Sequence, residues 1–425
     1  MTKKNRTILF ITCVLLFLLI CPLAVLYSQG YRIAFNDGVK ISQTGGLFVK
    51  AYPKQAEVQI DEIKPLKHPL TEKTDFFFGS VLVENLFPKI YNVAVKKEGY
   101  LTWQKILEIK EREVTEIKNI ILFPQDKELS NFTSNLKNFW FSPDGKKIIL
   151  QEEDKTGWSL KDYDLNTNIK SHLIDDNDIS TKKPEFLSLE FSPDSKEINM
   201  EVVISEDVKY FKINLEKNPP ALTKISSLAT TTENVLVSKK INNDTYSLDK
   251  KGNLFKNKEK LNDKPFTIKQ ETKYDLQIFQ EYIFLQEDKA LYKFNPELKS
   301  FERFAENINN LRISPTSKTL SYLSDYEIWV LFLKDRDYEP KRKAGDKLLL
   351  LRLSEKINDC YWLNDDYLVL NIGNAIKIIE TDDRDKIQTW DLANFPQSRI
   401  FFNQTDKKLY IFSESKLYRS HTLLP

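Results

Sequence analysis

Cysteine is nearly absent from this chain. Its 425 residues contain three: Cys13 and Cys21 in an apolar N-terminal stretch, and Cys360 alone in the C-terminal half. No disulfide framework can be drawn from that set, so the fold must stand on core burial alone. Histidine is equally scarce. His68, His172 and His421 lie far apart, and no second ligand is read at i+3 to i+5 of any of them, which argues against a zinc centre or a histidine-based triad. The chain has no G-x-S-x-G, no P-loop, no H-E-x-x-H and no G-x-G-x-x-G, so no catalytic, metal or cofactor residues are assigned. An excess of one charge is missing too. The 63 Lys+Arg against 61 Asp+Glu leave +2, and without a basic face or stripe no nucleic-acid partner is expected. Glycine numbers only 11 while aromatics reach 12%, a balance that suits a strand-rich body rather than a low-complexity chain.

Long apolar runs are also few, and the one that stands out opens the chain. MTKKNR (residues 1–6) carries Lys3, Lys4 and Arg6, and residues 7–27, TILFITCVLLFLLICPLAVLY, carry no charge. About 20 apolar residues at ~1.5 Å each match a hydrocarbon core of roughly 30 Å, and the run exceeds the ~7–15 residues of a signal-peptide core. The basic flank predicts a short cytoplasmic N-terminus and an extracytoplasmic remainder, in a single-pass protein of the cell membrane. Leu18-Leu19-Ile20-Cys21 is a poor lipoprotein site because Ile20 stands where a small residue is expected, but a cleaved or lipidated form stays open beside the uncleaved anchor. Pro22 inside the span is tolerable in a membrane helix. Residues 28–40 read as a juxtamembrane linker with an Asn36-Asp37-Gly38 turn.

Residues 41–124 alternate apolar and polar in short runs broken by turn residues: LFVKAY up to Pro53, AEVQIDEI, then KIYNVAV, Gly99 and a further strand. This pattern predicts a small antiparallel β domain. The segment resembles the PEGA domain through Gly46-Leu47-Phe48-Val49, Pro53, Ala56-Glu57-Val58-Gln59-Ile60-Asp61 and Tyr91 through Gly99-Tyr100. Pro53-Lys54-Gln55-Ala56 and Pro88-Lys89-Ile90-Tyr91 each lack a glycine of the family pattern. The resemblance implies an extracytoplasmic β module of envelope proteins with no enzymatic activity of its own.

The remainder repeats itself. FSPDGKKIIL from Phe141 recurs fifty positions later as FSPDSKEINM from Phe191. Ser142-Pro143-Asp144-Gly145 and Ser192-Pro193-Asp194 form turns between strands, with Ser314-Pro315 as a weaker copy and further echoes after Trp362 and Phe402. Phe141 and Phe402 are 261 residues apart over six intervals, about 43 each, the length of a propeller blade. A second hairpin per unit, such as Trp158 to Leu165 before Asn166-Thr167-Asn168, makes four strands. Radial stacking then buries faces that one sheet could not bury alone. The repeats resemble the WD40-like PD40 repeats of TolB-type propellers. The expected fold is therefore all-β: one transmembrane helix, a small β domain and a β-propeller over 128–425. Seven blades fit best, and six or eight remain open. With about 24 residues after Phe402, a strand from Ser130 to Phe139 is expected to close the ring.

Two further clusters are read as structural. Asp162-x-Asp164-x-Asn166 imitates a calcium loop but lacks its Gly and final Glu. Lys341-Arg342-Lys343 reads as a solvated loop. The function expected is a non-enzymatic, membrane-anchored binding or scaffold protein of the cell envelope, with an envelope protein or cell-wall glycan as partner. The alternative is a propeller enzyme, a hydrolase or lyase, marked by carboxylates or histidines converging on the channel.

Overall fold

The computed structural model describes residues 3–34, 40–62, 69–126, 129–155, 157–217, 219–226, 234–241 and 243–425. The Asn36-Asp37-Gly38 turn, His68 and residue 128 lie outside the described residues. The uncharged run forms a helix, Lys3–Ser28, with Pro22 inside it and apolar side chains such as Ile8, Phe17 and Leu19 exposed along its length. It is long and apolar enough to cross a membrane.

A hairpin of Tyr31–Ala34 and Lys40–Gln43 leads from the helix into two stacked sheets. One has the order Ser80–Leu86, Gly45–Tyr52, Val114–Ile121. The other runs Leu70–Lys73, Glu57–Glu62, Ile90–Lys96, Trp103–Glu108. Alternation puts Leu47, Val49, Val58, Ile60, Val93 and Val95 between them, all buried. One pairing departs from the antiparallel expectation: Gly45–Tyr52 and Val114–Ile121 run parallel, Gly46 opposite Val114. The chain passes to the second sheet and back twice, adding Ser80–Leu86 antiparallel to one side of Gly45–Tyr52 and, after two more strands of the second sheet, Val114–Ile121 parallel to its other side. Alternation marks which residues face inward but carries no information on strand direction.

Beyond residue 128 the strands pair in sequence order. Among the described residues, seven four-stranded antiparallel sheets succeed one another, spanning 136–175, 185–225, 235–260, 274–305, 310–352, 357–394 and 399–422. The last contains three strands of its own, and Leu129–Ser134 supplies the fourth by pairing with Lys416–Thr422. The closing strand, expected from Ser130 to Phe139, is thus shorter and ends at Ser134. Asn135, at φ +61, breaks the run, and Leu136–Phe141 begins the first sheet instead. Closing a ring with a strand from the chain's other end removes two open edges at once.

Apolar clusters lie between consecutive sheets. Ile149 and Leu160 pack with Ile198 and Met200, while Tyr410 and Leu417 of the last sheet pack with Ile148 and Leu150 of the first. Second strands are the most enclosed: every residue of Thr319–Leu323 and of Tyr367–Ile372 is buried. This is the propeller expected from the repeat, with each sheet covered by its neighbours.

The small domain is joined to this ring through a common core. Leu47, Val58, Trp103 and Phe123 belong to the same buried cluster as Tyr367, Trp390, Phe402 and Ile411.

Candidate functional site

Each sheet's first strand faces the axis of the ring. Period-two alternation sends Phe139 and Phe141 of Leu136–Phe141, Asp359 and Tyr361 of Ile357–Trp362, and Arg399 and Phe401 of Arg399–Asn403 to the channel. A cavity of about 670 Å³ there is lined by these six together with Glu190 and Phe191. The rings of Phe141 and Phe401 stack at 4.0 Å and 10°, and Tyr361 meets Phe401 edge-on at 5.4 Å.

The charges in the channel differ in how they are held. Arg312 donates to Tyr361 Oη at 3.0 Å, pairs with Asp359 at 3.2 Å, and lies 4.2 Å from the Tyr361 ring centroid. Burial raises the Tyr361 phenol above its ordinary range, with the Arg312 charge opposing. Arg399 has no carboxylate partner among the described residues. It donates to Asn138 Oδ1 at 2.9 Å and lies over the rings of Phe139 and Phe412 at 5.5 and 4.8 Å. Burial against these rings lowers its pKa, with the Tyr361 phenol opposing, in keeping with a guanidinium that has aromatic neighbours and no carboxylate. An aromatic wall beside an unneutralised guanidinium can take a flat or ring-bearing anionic ligand. The carboxylates lining this cavity, among the described residues, are Asp359, already held by Arg312, and Glu190.

The channel's orientation is set at the domain junction. Lys105 Nζ, with its side chain 0% exposed, meets Glu380 Oε1 at 2.7 Å and the carbonyls of Asp382 and Lys386 at 2.8 and 2.9 Å. Glu380 also accepts Trp103 Nε1 at 2.9 Å and the Gln388 N–H at 3.0 Å. Every proton of the ammonium therefore has an acceptor, the condition under which a buried pair is tolerated. Burial pushes the Glu380 carboxyl above its ordinary range, and Lys105 and Trp103 oppose that push. Asp366 accepts from Asn119 at 3.1 Å and Tyr338 at 2.7 Å, while Phe123 packs on Tyr367 and Trp390 at 5.5 and 5.6 Å.

The repeated turns have a common chemistry. Ser142 Oγ donates to Asp144 and accepts the Lys147 N–H at 2.9 Å. Ser192 repeats this with Asp194 and Glu197, and Ser314 Oγ accepts the Thr319 N–H at 3.2 Å. Pro143, Pro193 and Pro315 follow these serines in the turn. Neighbouring turns also touch: the Asp144 N–H donates to Ser195 Oγ at 3.1 Å, and Asn403 Nδ2 donates to the Gly145 carbonyl at 2.9 Å. The residues singled out in the small domain are turn and core positions. Ala56 is fully buried, Gly99 holds φ +78, Tyr100 bridges Pro124, and Gly46 leaves 3.3 Å between an added Cβ and the Val83 carbonyl. Gln55, after Pro53 and Lys54, stands where the resemblance expects glycine and holds φ +59.

Two readings change, and that of the calcium-like stretch as structural does not. His172 does gather ligand-type neighbours: Asp175 and Asp178 lie 4.0 and 3.6 Å from its Nε2. Those carboxylates cap the short helix Asp176–Ile179, and His172 Nδ1 lies 3.4 Å from Lys161 Nζ. The basic insertion is paired rather than simply solvated, Arg342 with Asp383 and Lys343 with Asp335. In the calcium-like stretch, Asp164 accepts the N–H groups of Asn166 and Thr167, and Asp162 pairs with Lys147 at 2.6 Å. Sequence reasoning missed Lys105, Glu380, Arg312 and Arg399. The alternation Arg399-x-Phe401 beside Asp359-x-Tyr361 was the available signal for the channel; a lysine at an inward strand position was the signal for the junction.

No protein-family model and no curated protein sequence matches the chain. Among solved structures, YCF48 from Cyanidioschyzon merolae is 12% identical, covering 69% of this chain and 97% of its own, at TM-score 0.39. The β-propeller domain of Cps50 (Swd1) from Myceliophteria thermophila is 13% identical, with 69% and 98% covered, at TM-score 0.36. An oligogalacturonate lyase in complex with manganese is 11% identical, with 70% and 93% covered, at TM-score 0.41. At such TM-scores the propeller assignment rests on this chain's own strand pairing, and no function is transferred.

Proposed function

We propose that this chain is a non-enzymatic, membrane-anchored binding or scaffold protein of the cell envelope. The helix holds it in the membrane, the small domain is a PEGA-like module, and the ring is a TolB-like PD40 propeller that serves as an interaction platform. The observation that carries this reading is the junction of Lys105, Glu380 and Trp103 within a common core. A propeller fixed to its stalk, rather than swinging on a linker, suits presentation of one face to a partner at a set height above the bilayer. The aromatic channel with Arg399, and the solvent-exposed Phe76, Phe77 and Phe78 in the turn before Ser80–Leu86, where Phe77 and Phe78 line a cavity shared with Tyr338 and Asp365 of the ring, support a binding role. Topology follows from the basic flank, with the bulk of the chain extracytoplasmic. The partner we favour is a cell-wall glycan chain, because sugar faces stack on rings and an acidic substituent pairs with a guanidinium; an envelope protein is the other outcome.

The test is co-sedimentation of residues 41–425 with purified cell-wall material. Saturable pelleting is expected, weakened about tenfold or more by Arg399→Ala, the scale of one lost charge-assisted hydrogen bond. Pelleting that ignores Arg399→Ala would move the contact off the channel. No pelleting at all would eliminate the glycan and direct the search to protein partners.

A further inference from the structure

The outer end of the helix opens onto a cavity of about 630 Å³ whose walls include Tyr27, Arg32, Leu82, Glu84, Arg112 and Glu113. Its place is unusual because it begins where the uncharged run ends. Tyr27 is the last residue of that run, and an aromatic residue there suits the membrane–water boundary. Arg32 fastens the helix to the small domain. Its Nη1 donates to the Tyr27 and Tyr31 carbonyls at 2.8 and 2.9 Å, its Nη2 to Asn85 Oδ1 at 2.6 Å, and its guanidinium covers the Tyr27 ring at 3.6 Å. The Thr44 N–H and hydroxyl both donate to the Gly30 carbonyl, at 2.9 and 3.0 Å. The cavity is therefore held at one depth by bonds to the helix end.

Charge of both signs lines it, and the charges do not satisfy one another. Among the described residues, the side chains of Arg112, Glu84 and Glu113 have no hydrogen-bond or ion-pair partner, and Arg32 has two of its five N–H groups left over. We propose that this cavity seats the headgroup of a zwitterionic phospholipid of the ethanolamine type: the phosphate on Arg112 and the spare Arg32 donors, the primary ammonium on Glu84 and Glu113. A guanidinium suits phosphate oxygens, and an ammonium offers three donors to carboxylates. A choline headgroup has no N–H to give and requires open aromatic faces; the ring in this lining, Tyr27, is already covered by Arg32. A purely anionic headgroup would meet two carboxylates. Leu82 and Val114, each about half exposed, continue the wall as apolar surface toward the glycerol side.

The inference rests on the reading that Lys3–Ser28 crosses the membrane, and the two are tested separately. The full chain, purified in mild detergent, is offered phosphatidylethanolamine, phosphatidylcholine or phosphatidylglycerol, and retained lipid is read by native mass spectrometry. The ethanolamine lipid should be retained about fivefold or more over the other two, Arg112→Ala should abolish retention, and Glu84→Gln with Glu113→Gln should erase the preference while leaving phosphate recognition. Equal retention of all three lipids, or an unchanged preference in Arg112→Ala, overturns the headgroup seat. Carbonate extraction of membranes carrying the full chain reads the anchor independently. Retention in the membrane without ethanolamine preference removes the seat alone, whereas release by carbonate removes the anchor and the seat with it.

Discussion

Lys105 is a lysine at an inward strand position with its whole side chain out of water, and its three acceptors all come from the sheet spanning 357–394 or the loop within it. Removing the ammonium while leaving the carboxylate strands a buried charge. Lys105→Met should therefore cost about 3–5 kcal/mol in urea unfolding of residues 41–425, while Lys105→Met with Glu380→Leu should recover most of that loss. The sign of the pH dependence follows from burial. Glu380 already sits above the ordinary carboxylate range and would be pushed further once Lys105 is gone. A carboxyl with a raised folded-state pKa takes its proton more readily folded than unfolded, so the Lys105→Met penalty should shrink as pH falls through that raised value. A penalty that stays flat with pH would mean that water enters the site.

At the scale of the element, the blade turns decide how tightly sheets approach. Gly145 holds φ +68, and a Cβ there would meet Asn403 Oδ1 at 2.3 Å and Thr405 Oγ1 at 2.4 Å. Ser195 occupies the equivalent place in the next sheet at φ +62, and its hydroxyl is bonded by the Asp144 N–H. The same position is thus a forced glycine where the ring closes and a useful serine one sheet later. Gly145→Ala should lower stability by about 1–3 kcal/mol, combining left-handed strain with the contact against the last sheet. Ser195→Gly should cost less than that. Thermal unfolding of the two variants side by side checks the order, and equal losses would show that the closing contact is not tight.

For the whole molecule, the core that runs from Leu47 and Trp103 through Phe123 to Tyr367, Trp390 and Phe402 leaves little separate interior to the small domain. The two should unfold together, giving one calorimetric transition for residues 41–425 rather than two. A ring cut free at 129 would expose Tyr367 and Trp390 and should aggregate. Two resolved transitions would show a hinge where a weld is described, and would weaken the presentation role as well.

Sequence by itself determined the local part of this protein. The uncharged run, the alternation of AEVQIDEI and KIYNVAV, and the SPDG turns with their 43-residue period depend on neighbours a few positions apart, and such signals survive in a one-dimensional string. Only tertiary structure decided the rest. The parallel direction of Val114–Ile121 beside Gly45–Tyr52, the meeting of Lys105 with Glu380 across 275 positions, and the gathering of Arg312, Asp359, Tyr361 and Arg399 at one axis join residues far apart in the chain. Their pairing energies exist only once the ring has closed and water has left, so nothing near any one of them in sequence announces its partner.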